Sequence, residues 1–220
     1  MDLIDTLKEF EKNINKIHSK EDLQKIFYKD LAPAFLYGGY IKVREDFKVY
    51  IKTVEFYFHS EKSDGIHDPI MYHRNIRNPY GTIISEVPYF QIMSLNSHDS
   101  GYDITFESEK EQYRASVLIR SYEVKTKDGQ YLEWDKKSMF VKHPTYKFNT
   151  QSLYLCKLLN GFSLGNNNDI KWVDSSTKQT KDLKVKTRQN VLKSKSDFVY
   201  DKIIGEQCTR NWSFTREDEI

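Results

Sequence analysis

The run KVYIKTVEFYF at Lys48–Phe58 is built almost wholly of β-branched and aromatic residues, with one carboxylate, Glu55, set inside it. Such residues fit a pleated, half-buried surface, so a long strand is expected here. Alternate side chains of a strand face opposite ways. Val49, Ile51, Thr53, Glu55 and Tyr57 are therefore expected on one face, and Tyr50, Val54, Phe56 and Phe58 on the other. A carboxylate placed among apolar neighbours is paired, hydrated in a cleft, or held with a raised proton affinity. The last condition suits a general base, and the first is a structural salt bridge. Glu55 carries both readings.

Other strands follow from the same pattern at Ile41–Val43, Tyr102–Phe106 and Tyr113–Val124, with a further alternating run at Leu183–Leu192. In the strand Tyr113–Val124, Arg120 is expected on one face with Leu118, Tyr122 and Val124. A guanidinium there is paired with a carboxylate or held for an anion. Before the strands, Leu3, Ile4, Leu7, Phe10, Ile14 and Ile17 recur at helical spacing, which predicts an amphipathic helix over residues 2–17. Ser19 three residues before Asp22 marks a cap and a second helix over residues 20–30. A further short helix is expected at Gln151–Leu159. The stretch from His59 to Pro79, broken by Gly65, Pro69 and Pro79, reads as a long loop, and long loops tend to be functional. The fold class expected is α+β: a single domain over 1–220 with a curved antiparallel β-sheet flanked by helices, and residues 1–30 as an N-terminal helical extension.

The chain has 220 residues, of which 38% are hydrophobic and 30% charged, enough for one core and unlike a disordered tail. The N-terminal segment lacks the uninterrupted apolar stretch of a signal peptide or a membrane span, so no membrane is expected as partner. Two cysteines, Cys156 and Cys208, do not make a disulfide framework, and reduced thiols in a cytoplasmic protein are the reading adopted. The net charge of +2 says little, but seven Lys/Arg against one Asp fall between Lys178 and Lys195. That segment is either a solvated surface or a surface for phosphates. His59, His67, Asp68 and His73 invite a metal reading, yet their spacing matches no ligand pattern, and no metal or cofactor is expected.

Several stretches, read in order, resemble the alkyladenine (3-methylpurine) DNA glycosylase family. They are LAPAFLYGGYIKV at 31–43, VEFY at 54–57, DPIMYHRN at 68–75, VLIRSYE at 117–123, SLYLCKLLNGFSLGNNNDI at 152–170, TRQNVL from 187, and NWSF at 211–214. The resemblance covers most of the chain from about residue 30 onward and implies a glycosylase-like fold acting as a monomer on DNA or another nucleic acid or nucleoside. It implies that Glu55 is the base that activates water, that Arg120 helps to hold that water, and that Tyr57 stacks on an extruded base. It makes His73 the pocket histidine, with His67 as competitor. The basic segment, Lys181, Lys184, Lys186 and Arg188, would hold backbone phosphates. The chain departs from the family at Ser100, which stands where the family carries a tyrosine that wedges into the base stack. NTQS also replaces the family's NGPG helix start.

The resemblance thus implies a monofunctional N-glycosylase that releases an alkylated or deaminated purine by a Glu-activated water. Two alternatives stand beside it. One is a non-catalytic nucleic-acid-binding module of the same fold, and the other an N-glycoside hydrolase acting on a nucleoside or a single strand.

Overall fold

The computed structural model describes residues 2–68, 70–71, 73–78, 80–98, 101–134, 162–165, 170–175, 182–188 and 210–217. The helix expected at Gln151–Leu159, Lys181, Ser100 and both cysteines lie outside these residues.

Two side-chain caps start the helical layer. Asp2 accepts from the Asp5 N–H at 2.7 Å and opens α1 (Leu3–Asn13), which runs on into a 3-10 turn at Ile14–Lys16. Ser19 accepts from the Asp22 N–H at 3.1 Å and opens α2 (Lys20–Ile26). The second helix does not stop near residue 30. It continues through a π turn at Phe27–Leu31 into α3 (Ala32–Tyr37). Pro33 supplies the reason: it has no N–H for the carbonyl four residues back and crowds it, and a wider turn relieves both problems. Ala32 N–H bonds to the Phe27 carbonyl there.

The main sheet is antiparallel throughout. Its strands are β1 (Gly39–Val43), β2 (Phe47–Ser60), β5 (Ser94–His98), β6 (Gly101–Thr105), β7 (Tyr113–Thr126), β8 (Tyr131–Trp134), β9 (Phe162–Ser163), β10 (Ile170–Asp174), β11 (Leu183–Lys186) and β12 (Ser213–Arg216). The order is β10-β1-β2-β7-β6-β5-β9, with β12 joining β11 to β2 and β8 lying on β7. A separate hairpin, β3 (Ile76–Arg77) with β4 (Ile83–Ser85), occupies the stretch expected to be loop. The architecture is α+β with a curled antiparallel sheet. Among the described residues no helix is long and apolar enough to cross a membrane.

The pairing of β2 with β7 is irregular at one place. Ile51 faces Tyr122, Thr53 faces Ser121 and Val54 faces Ile119, so Lys52 and Arg120 are extra residues on their strands. Strict alternation put Ile51 beside Glu55, and Tyr122 and Val124 beside Arg120. The bulge corrects both: Ile51, Tyr122 and Val124 join Val54 and Phe56 in the core. Beyond the bulge, Val54, Phe56 and Phe58 with Val117 and Ile119 form the apolar face. The helices cover it. Phe27 stacks on Phe56 at 4.5 Å and meets Trp212 edge-on at 5.2 Å, and Phe10 lies edge-on to Phe58, Phe106 and Tyr113. Each such pair adds about 1 kcal/mol to the burial of its area.

Candidate functional site

The opposite face of β2 and β7 is polar, and the strand register dictates its contents. Glu55 lies opposite Leu118 and Ser213, Tyr57 opposite Ser116, and His59 opposite Arg114. One strand further on, Leu118 and Ser116 face Asp103 and Thr105. Most of these polar groups are buried: Glu55, Arg114 and Thr105 are wholly so.

Glu55, Tyr57 and Arg120 meet. The Arg120 guanidinium pairs directly with Glu55 Oε2, and the Tyr57 hydroxyl donates to the same oxygen at 3.2 Å. Arg120 Nη2 also lies 3.5 Å from the Tyr57 hydroxyl. Burial first, and then the Glu55 carboxylate, push the Tyr57 phenol well above the usual tyrosine range. The phenol therefore stays protonated and keeps donating. The bulge makes this triad possible, because the extra residue re-aims the Arg120 side chain off the regular alternation.

Tyr57 has a second neighbour that the sequence reading placed elsewhere. Arg188 was expected to face phosphates. Instead its side chain is wholly buried, 2.6 Å from Asp68 and 4.7 Å from the centre of the Tyr57 ring. It donates to the Phe56 carbonyl at 3.3 Å. The physical reason is that a buried Asp68 carboxylate requires a counter-charge, and Arg188 and Arg210, the latter at 3.6 Å, provide it. One face of the Tyr57 ring is thus covered by a guanidinium. Lys184 and Lys186 are exposed, with Lys184 3.6 Å from Glu217.

The loop histidines separate. His67 is exposed, its ring 3.2 Å from the Ser63 carbonyl and 5.2 Å from the His59 ring, while its own carbonyl accepts from Arg210 at 2.8 Å. His59 is buried, and its Nδ1 accepts from the Asp68 N–H at 3.0 Å. Burial lowers its pKa to about 4, so the ring is neutral at physiological pH. His73, expected beside Glu55, sits in a different cluster. It pairs with Glu107 and packs edge-on against Phe90. Arg114 lies between Glu107 and Glu61, 3.2 Å from each, with the Tyr89 ring 3.4 Å from its guanidinium carbon. Among the described residues no group of three or more His, Cys, Asp or Glu is arranged to hold a metal ion.

Sequence reasoning missed this second cluster and the Asp68–Arg188–Arg210 set. One signal was present. Arg114 and Arg120 belong to one strand, and two arginines in a strand bound for a sheet interior call for carboxylates nearby. Chemically, the first cluster is an acceptor-only carboxylate, oriented by a cation and a phenol inside the protein. Comparison of this chain with family models, with curated proteins and with solved structures returns no match.

Proposed function

We propose that this chain is a monofunctional N-glycoside hydrolase that releases a nucleobase, an alkylated or deaminated purine in DNA being the substrate class favoured. The observation that carries the reading is the meeting of Glu55, Arg120 and Tyr57 on the polar face. Glu55 takes a proton from water, the water oxygen bonds to the anomeric carbon, and the C–N bond breaks with its electron pair leaving on the base. Arg120 and Tyr57 hold the carboxylate in one orientation, which limits the reorganisation the reaction requires. No metal or lysine adduct enters the scheme.

The full burial of Glu55 favours a second reading. A carboxylate closed in against an arginine is also what a structural ion pair looks like, and then the chain is a non-catalytic nucleic-acid-binding module of the same architecture. A smaller substrate, a nucleoside or a single strand, is the third option, and it fits the serine at position 100.

The test is direct. Purified protein is incubated with duplex and single-stranded oligonucleotides carrying hypoxanthine or 3-methyladenine, and with the free nucleosides, and released base is measured by chromatography. Release from the duplex supports the DNA reading, and release from the single strand or nucleoside alone supports the third. No release from any of them sinks the enzyme readings.

A further inference from the structure

The hairpin β3–β4 carries the most exposed apolar surface in the described chain. Tyr80 is 92% exposed at its tip, Ile84 65% and Ile76 48%. The tip is fastened from within. Asn78 Oδ1 accepts from the N–H groups of Tyr80 at 3.0 Å and Thr82 at 2.9 Å. The Gly81 N–H donates to the Asn78 carbonyl at 2.9 Å, and Arg77 Nη1 donates to the Gly81 carbonyl at 2.8 Å. Gly81 has φ +83, a conformation that suits glycine. A turn so tied presents its tyrosine in a fixed place, with little entropy left to lose on contact.

The buried cluster around Arg114 fastens the other end. Arg114 Nη2 donates to the Val87 carbonyl at 2.5 Å and to Asn75 Oδ1 at 3.3 Å, and Nη1 donates to the Pro88 carbonyl at 2.9 Å. The Asn75 N–H donates to Glu61 at 2.9 Å, and the Val87 N–H to Asn75 Oδ1 at 2.9 Å. Both legs of the hairpin are therefore clamped to one buried guanidinium. Arg114 pairs with His59 in the register that also sets Tyr57 and Glu55, so the arm springs from the face that holds the carboxylate.

An outward aromatic on a rigid arm calls for a flat partner. The arm's charged residues, Arg74 and Arg77 against Glu86, leave it net positive, and no acid lies within Ile76–Ser85. Aromatic rings stack on any base, and positive charge tracks phosphates. We infer that the hairpin Ile76–Ser85 is a nucleic-acid-binding arm, with Tyr80 stacking into the bases of the strand that the Glu55 face acts on. The inference rests on the function proposed above, and it gives the Arg114 cluster the role of an anchor.

The experiment uses the full chain with Tyr80→Ala and Tyr80→Trp, each checked by circular dichroism. Binding to a short fluorescein-labelled duplex carrying one hypoxanthine, and to its single strand, is read by anisotropy. The arm predicts that Tyr80→Ala weakens binding by roughly five-fold or more. Tyr80→Trp should keep the affinity, and the emission of the introduced indole should be quenched as the oligonucleotide is added. Equal affinity of Tyr80→Ala and wild type overturns the inference. So does the absence of oligonucleotide binding by wild type, or a blue shift of that emission with phosphatidylserine vesicles and none with DNA. Base release that ignores Tyr80 defeats the arm and leaves the hydrolase standing. Tyr80-dependent binding without base release defeats the hydrolase and leaves the arm.

Discussion

The strands β2 and β7 have two faces that solve opposite problems. One face, Val54, Phe56 and Phe58 with Val117 and Ile119, is closed by aromatic residues from the helices and from β12. The other buries Glu55, Arg114 and the pairs around them, each ion taken from water at a cost that its partner only partly offsets. The first face stabilises the fold. The second does so weakly at best, and a sheet that needed only stability would fill it with leucine. That contrast is the reason to look for activity on the polar side.

The largest effect should come from the apolar face. Phe56→Ala is expected to cost about 4 kcal/mol in chemical denaturation, through lost contacts with Phe27, Phe35, Phe106 and Phe214. A loss below about 1 kcal/mol would break the idea that this face carries the stability. Next, Arg114→Leu strands Glu61 and Glu107 without their shared cation, and about 3 kcal/mol should go by the same measurement. Proteolysis near the hairpin should also rise. Replacing both members of a pair behaves differently. Glu55→Leu with Arg120→Leu should fall within about 1 kcal/mol of wild type, because an apolar pair replaces an ion pair of little net worth.

A pH scan sharpens the contrast further. His59 has a pKa lowered to about 4 by burial, against about 6.5 when unfolded. Between those values the unfolded chain binds the extra proton, so stability falls as pH drops from about 6.5 towards 4, by at most about 1.4 kcal/mol per pH unit. Protonation would also place a donor at Nδ1 against the Asp68 N–H. Thermal melts of His59→Gln should lose this part of the pH dependence, and an unchanged slope would locate it elsewhere.

Much of the frame was legible because local chemistry decides it. Ser19 with Asp22, the spacing of Leu3, Leu7 and Phe10, and the β-branched run into Phe58 each speak through their own neighbours. The continuation of the second helix past residue 30 was not legible, since Pro33 normally ends a helix and a π turn is needed to pass it. The bulge at Lys52 and Arg120 was hidden for a related reason: alternation predicts faces only while the register is unbroken. Glu55 and Arg120 were expected to meet, and they do, as a direct pair rather than across a water. Arg188 went astray because its sequence neighbours are exposed lysines, while its partner Asp68 lies 120 residues away. Long-range charge pairing leaves no local signature.

Everything proposed for the polar face requires Glu55 to act on substrate rather than only on Arg120. Glu55→Gln keeps the shape and a hydrogen-bonding oxygen while removing the charge, so its fold can be compared with wild type by melting and its chemistry by base release under single-turnover conditions. A variant that melts as one cooperative transition, binds oligonucleotide and releases no base is the result predicted. A variant that still releases base at the wild-type rate would contradict the role given to Glu55.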